Sequence, residues 1–298
     1  MLIAFLEPHL QICGGIRRII ETANGLVERG HRVVVILPDY AYQSGQHGGW
    51  LEQKFEITSE SLANDWILRH TDPAKNHPWF DVLIFNEETQ YKVARKIKAD
   101  VRVYYALHYS VLHKDLNVLR NCYNGGFHIL ANSNWTADAM ELETLSRPPV
   151  IHGGLRHDIF HPVEIGKKFD ISTYGATRFW KGGWIADYVA KRLNKTLFKF
   201  GNDCGLPQEK LAEGYCQSKV YLSCSYYEGW NWPALEAMAC GVPVVMSEDG
   251  GSGDYAKDGF NCLKFSPRDA ESAAKAVEHV LKDSALRESL IKNGIDTA

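Results

Sequence analysis

The sequence predicts an α/β protein of two Rossmann-like domains, and three observations carry that prediction. Short continuous apolar runs alternate with longer amphipathic ones, the pattern of strands buried on both faces and of the helices that cover them. A paired glycine, Gly14-Gly15, separates the first apolar run from the first helical one. Residues 219–246 read as strand, polar elbow, helix and strand, the βαβ unit of a parallel sheet.

With 298 residues, 45% hydrophobic and 23% charged, the chain can bury two cores. A formal net charge of −3 gives no basis for broad nucleic-acid binding. No apolar run approaches the roughly 20 residues that span a bilayer. The N-terminus has neither the basic lead nor the small-residue cleavage site of a signal peptide. Cysteines 13, 122, 204, 216, 224, 240 and 262 show no Cys-x-x-Cys and no metal spacing. The expectation is a reduced, cytoplasmic setting with no metal site.

In the first domain, residues 2–6 read as a buried strand that reaches the loop 7–15, followed by a helix over 16–29 and a strand over 32–37. Paired glycines before a helix let backbone approach a ligand closely. Arg17 and Arg18 fall in the first turn, where cations are locally unfavourable unless an anion relieves them; a solvated face is the other reading. Residues 38–79, with Gly48-Gly49, read as loops around a short strand near Phe55 and an element near Trp66. A strand over 81–86 precedes a helix over 88–98. Its Lys92, Arg95, Lys96 and Lys98 can face solvent or touch an anionic membrane surface. The strand 101–107 ends in His108-Tyr109-Ser110, and a histidine there can act as base, donor or charge stabiliser. Residues 127–132 form the last strand, and Ser133-Asn134-Trp135-Thr136 starts a helix to 145.

The second domain opens with a strand over 169–174. The loop through Arg178 and Lys181-Gly182-Gly183 leads to a helix over 184–193. After the strand 196–200, Gly201-Asn202-Asp203 can line a base pocket, and 208–217 is a helix. In the βαβ unit, Pro233 marks the helix start, with Asn231 or Trp232 as cap, and Gly241 ends it. Glu228 lies at the carboxyl end of the strand and Glu236 eight positions later, about one turn into the helix. Ligands of parallel sheets bind at this edge, where free N–H groups attract phosphate. A carboxylate there suits a vicinal diol, because it accepts two hydroxyl hydrogens. Phosphate plus diol describes a nucleotide. A glycine-rich loop, 250–254, then a strand over 261–265 and helices over 267–282 and on to 293 complete the chain.

Glu228-x7-Glu236, set in Tyr-Glu-Gly…Pro-Ala-Leu-Glu-Ala-Met-Ala-Cys-Gly-Val-Pro-Val-Val, resembles glycosyltransferase family 4 over about 25 residues. That resemblance implies a GT-B fold, two Rossmann-like domains facing across a cleft, here 1–163 on the acceptor side and 164–298 on the nucleotide-sugar side. It implies a retaining, hexosyltransferase-type enzyme that needs no cofactor or metal. The donor is a nucleotide-sugar; the acceptor is a carbohydrate, lipid-linked or other hydroxyl compound, with peripheral membrane contact. By the resemblance Glu236 holds the ribose and Glu228 orients the donor sugar. Lys181 and Arg178 stabilise the diphosphate, and His108 assists at the reacting centre. Gly14, Gly15, Gly201, Gly229, Trp230 and Asn231 surround the donor.

Several positions depart from the family pattern. Gly229-Trp230-Asn231 replaces the usual Gly-Phe-Gly, putting bulk and an amide where backbone N–H groups meet the donor sugar. Arg178 stands two residues later than the usual arginine, and Asp254 replaces a glutamate. Gly153 and Arg156 replace Asn and Asp of the interdomain run, and the family's closing crossover helix is not evident. Alternative readings are a GT-B sugar-nucleotide epimerase, a phosphorylase carrying pyridoxal phosphate on a lysine, or a non-catalytic binding module.

Overall fold

A computed structural model describes residues 1–11, 14–44, 51–70, 79–108, 116–175, 178–201 and 206–298. The features read at Cys13, 48–49, Tyr109-Ser110, Asn202-Asp203 and Cys204 lie outside the described residues. The chain forms two compact units, Met1–Asn132 with Thr136–His152, and Ser133–Trp135 with Gly153–Ala298. The units part at 152/153, eleven residues ahead of the boundary read from the sequence. Phe160, only 1% exposed, already packs in the core of the second unit.

The first unit is a six-stranded parallel sheet in the order β3-β2-β1-β4-β5-β6. Its strands are β1 (Leu2–Leu6), β2 (Arg32–Leu37), β3 (Glu56–Ser59), β4 (Phe80–Phe85), β5 (Ala99–Ala106) and β6 (His128–Ala131). Strand β1 shows why these runs are apolar throughout. Leu2, Ala4 and Leu6 enter one core, while Ile3 and Phe5 enter the other. Successive side chains leave a strand on opposite faces, so a strand covered on both sides needs no polar alternation. Helix α1 (Gly14–Glu28) meets the second of these cores through Ile16, Ile19, Ile20 and Ala23, one stripe of an α-helix.

Two helices escaped the sequence reading, α2 (Asp39–Gln43) and α5 (Leu116–Tyr123). Helix α3 (Ala63–His70) carries Trp66. The helix expected over 88–98 is a 3₁₀ turn, Glu88–Gln90, followed by α4 (Tyr91–Lys96), because β5 already begins at Ala99. Helix α6 (Asn134–Thr144) follows β6. The paired arginines are not a bare solvated face: Arg17 is buried beside Glu21 at 4.0 Å, and Arg18 Nη2 donates to the His152 carbonyl.

The second unit is a five-stranded parallel sheet in the order β11-β10-β9-β7-β8. The strands are β7 (Phe169–Tyr174), β8 (Leu197–Phe200), β9 (Ser218–Ser223), β10 (Val244–Ser247) and β11 (Cys262–Phe265). Helices α7 (Gly183–Leu193), α8 (Gln208–Cys216), α9 (Trp232–Ala239), α10 (Ala270–Lys282) and α11 (Ser284–Thr297) cover it. Strand β9 divides as β1 does, with Tyr221 in one core and Val220 and Leu222 in the other. Helix α11 continues four residues past the expected end. Gly294 lets it lie against α9, where a Cβ would stand 3.4 Å from Met238. Among the described residues no helix is long and apolar enough to cross a membrane, and the five described cysteines are buried and form no disulfide.

Candidate functional site

Two segments of the second unit meet at an ion pair. A 3₁₀ turn, Phe179–Lys181, links β7 to α7; the polar elbow after β9 holds Glu228. Lys181 Nζ lies 2.5 Å from Glu228 Oε1, with the two side chains 18% and 16% exposed. Lys181 also stands over the Tyr174 ring, 5.3 Å from its centre. Both are held from the backbone side. Glu228 N–H donates to the Asp249 carbonyl at 2.8 Å, and Gly251 N–H donates to the Glu228 carbonyl at 3.0 Å. Tyr226 N–H donates to the Trp180 carbonyl at 2.7 Å, binding the two segments together.

Two glycines make the approach possible. Gly182 sits at φ +61°, where a Cβ would come within 2.2 Å of the Cys224 carbonyl oxygen. A Cβ on Gly251 would fall 2.1 Å from the Gly229 carbonyl oxygen. Contacts that short with backbone admit no side chain. The glycine pattern read from the sequence is thus a packing requirement at the point where Lys181 and Glu228 converge.

Asn231 takes the N-cap position of α9, one of the two residues expected there. It is 4% exposed and left-handed, with φ +57° and ψ +62°. Asparagine is among the few non-glycine residues that adopt this conformation readily. Its amide points inward: Nδ2 donates to Ser223 Oγ at 2.9 Å and to Asp249 Oδ2 at 2.5 Å. Its carbonyl accepts from the Tyr255 hydroxyl at 2.8 Å.

Asp249 is the residue that the sequence reading missed. It is 1% exposed and accepts from Asn231 and from the backbone and hydroxyl of Ser252, so one carboxyl ties the elbow to the glycine-rich loop. Burial, then the charge of Glu228, pushes its carboxyl up to about 6. An unfolded Asp loses its proton near 3.8, so between pH 3.8 and 6 the folded chain retains a proton that the unfolded chain has lost. Stability contributed at this site therefore falls as pH rises through that window, by about 3 kcal/mol in all. Asp249→Asn keeps the shape, because the Asn231 amide can turn over to accept. Denaturant unfolding from pH 4 to 7 should show wild type losing stability relative to this variant; parallel profiles would contradict the assignment.

Glu236 lies in α9, 1% exposed, and accepts from the Tyr215 hydroxyl at 3.0 Å. Burial raises the Tyr215 hydroxyl well above its ordinary range, so it stays a donor. Trp230 is buried against Tyr255 and Trp232. Gly229 is buried below Gly251, and Gly201 follows directly on β8. Arg178 is exposed, 5.5 Å from the Trp180 ring centre. Asp254 Oδ2 accepts from the Asn134 N–H at 2.7 Å. The structure therefore joins Lys181 to Glu228 directly, ties Asn231 to Asp249, and ties Glu236 to Tyr215.

Gly14, Gly15 and His108 belong to the first unit. Gly14 and Gly15 open α1, and a Cβ on Gly15 would stand 3.4 Å from Leu107 Cδ1, next to His108 after β5. The carboxyl edge of this sheet also holds Glu7, fully buried at the end of β1 and accepting from Asn86 Nδ2 at 2.9 Å. Its Oε1 meets no hydrogen-bond partner among the described residues, and burial holds the carboxyl well above the usual range. The signal in the sequence was an acid closing an otherwise apolar strand. Among the described residues no cluster of His, Cys, Asp and Glu could hold a metal ion.

The family model for glycosyl transferases group 1 matches residues 191–297. O-antigen chain mannosyltransferase B of Escherichia coli is 26% identical over 164 residues, 55% of this chain and 42% of that protein. D-inositol 3-phosphate glycosyltransferase of Kribbella flavida is 32% identical over 93 residues, 31% of this chain and 22% of its own length. The chain thus spans less than half the length of these curated relatives. Sucrose-phosphate synthase of Thermosynechococcus elongatus superposes with a TM-score of 0.76 at 18% identity, covering 100% of this chain and 94% of that one. HepE of Anabaena, solved in complex with UDP-glucose, gives 0.74 at 18% identity, covering 99% and 94%. The fold is GT-B.

Proposed function

We propose that the chain is a retaining glycosyltransferase that moves a sugar from a nucleotide-sugar to an acceptor hydroxyl without a metal ion. The observation that carries this reading is the Lys181–Glu228 pair at the carboxyl edge of the second sheet. The group 1 glycosyl transferase match over 191–297 and the UDP-glucose complex of HepE support a nucleotide-sugar as donor.

An ammonium has three donors, and Glu228 takes one from Lys181. The others are available to diphosphate oxygens, with exposed Arg178 as a second cation. As the bond from anomeric carbon to phosphate oxygen breaks, negative charge grows on the diphosphate, and fixed cations beside it lower the barrier. Attack comes on the same face that the diphosphate leaves, and the departing oxygen takes the proton of the acceptor hydroxyl. Glu228 accepts a hydroxyl of the donor sugar. Glu236, oriented by Tyr215, accepts the ribose diol. His108 and the Gly14-Gly15 turn serve the acceptor side. Lys92, Arg95, Lys96 and Lys98 are all exposed, as peripheral contact with an anionic membrane requires.

Glu236→Gln keeps volume and the Tyr215 partner but removes charge. It should weaken nucleoside diphosphate binding about 10- to 100-fold, the loss expected for hydrogen bonds to a charged group. Calorimetry with UDP, GDP and ADP measures this directly. Unchanged affinity would remove the ribose role from Glu236, and release of nucleoside diphosphate with no dependence on any acceptor would argue against transfer.

A further inference from the structure

An exposed aromatic surface borders the Lys181–Glu228 pair, and its chemistry is unlike the rest of the unit. Phe179 is 70% exposed, Trp184 49% and Tyr188 40%. Tyr226 and Arg268 back them. Phe179 meets Tyr226 edge to face at 5.4 Å, and Arg268 stands over Tyr226 at 4.8 Å and over Phe179 at 5.9 Å. The polar tips are engaged within the protein. Trp184 Nε1 donates to the Tyr226 hydroxyl at 2.7 Å, and the Tyr188 hydroxyl donates to Glu271 at 2.9 Å. The rings are therefore fixed, and what they offer outward is apolar ring surface.

We infer that Phe179, Trp184 and Tyr188 form a subsite that stacks against the C–H faces of a neutral oligosaccharide. The choice of carbohydrate rests on the transferase reading above; the existence of a stacking surface does not. Charge is compatible with a neutral occupant: Arg192 faces Glu271 at 3.6 Å, Lys199 faces Asp187 at 2.5 Å, and Arg268 lies over the Tyr226 and Phe179 rings. Continuity favours a substrate. Phe179 shares one 3₁₀ turn with Lys181, and Tyr226 precedes Glu228 by two residues. A sugar chain lying on these rings extends from the proposed reaction site. Rigid aromatic anchors bind with little loss of conformational entropy, which suits weak, repeated stacking.

The test is saturation-transfer NMR on the full chain with maltohexaose, mannohexaose and chitohexaose, alongside thermal shift with UDP, GDP and ADP. At least one oligosaccharide should bind with a dissociation constant on the order of 1 mM. The double variant Phe179→Ala, Trp184→Ala should weaken it at least tenfold while leaving the melting temperature and nucleoside diphosphate binding unchanged. Silence from all three oligosaccharides, or equal binding by the variant, overturns the subsite. So does sedimentation with phosphatidylglycerol vesicles that the variant abolishes, or a dimer that it dissociates. Nucleotide binding without oligosaccharide binding sinks the subsite alone; oligosaccharide binding without any nucleotide binding sinks the transferase reading and leaves the stacking surface standing.

Discussion

Lys181→Ala is expected to lower the rate of sugar transfer about 10²–10³-fold, the usual cost of losing one preorganised donor from developing negative charge. The side chain is held in place before any substrate arrives. It is 18% exposed, bonded to Glu228 at 2.5 Å and set over Tyr174. Its charge therefore needs little reorganisation as the diphosphate departs. The substitution also leaves Glu228 without this cation, so Glu228→Gln and the double variant are needed beside it. If Lys181 acts on the diphosphate as well as on Glu228, the double variant should be slower than Glu228→Gln alone by at least tenfold. If Lys181 serves only to neutralise Glu228, the two losses will not add. A fall of less than about threefold in the single variant would remove Lys181 from the mechanism.

Gly182→Ala should strongly destabilise the second unit. The residue is left-handed at φ +61°, a conformation that costs a non-glycine residue about 1–2 kcal/mol. The added Cβ would also meet the Cys224 carbonyl at 2.2 Å, and that oxygen belongs to backbone at the end of a central strand, which cannot swing aside. Overpacking of this kind adds about 1–3 kcal/mol. The sum is a large share of the stability of an ordinary domain. Gly253→Ala is the matched control in the same region, because a Cβ there meets nothing within 4 Å. Chemical denaturation should separate the two variants by more than about 2 kcal/mol. Equal stabilities would mean that the turn after Lys181 is not held as described.

The parts of this molecule that were legible in the sequence are those whose burial is the same on both faces. β1 reads as an unbroken apolar run because two cores flank it, and the apolar centre of β9 divides in the same way, Tyr221 against Val220 and Leu222. The order βαβ then follows from parallel pairing. Helices α2 and α5 were missed for a physical reason: each is short, and only a few of its residues, such as Ala41 or Leu119, Cys122 and Tyr123, are buried. Lys181 and Glu228 were each singled out by their local setting, but their pairing spans 47 positions and no spacing rule reaches that far. Asn231 is legible as a cap of α9, but its left-handed backbone and its bond to the Asp249 carboxyl exist only in three dimensions. Asp249 itself stood in a polar run, Ser-Glu-Asp-Gly, that looks like an exposed turn.

The proposed function requires that Lys181 and Arg178 meet a diphosphate while Glu236 holds the attached ribose. The most direct measurement is the melting temperature with UDP, GDP and ADP, for wild type and for the double variant Arg178→Ala, Lys181→Ala. Ligand at about a hundred times its dissociation constant stabilises by roughly 2.7 kcal/mol, a rise of about 4 °C for a chain of this size. At least one of the three should produce that rise in wild type, and the double variant should lose most of it. A flat response to all three nucleotides, or a full rise in the double variant, would contradict the central claim.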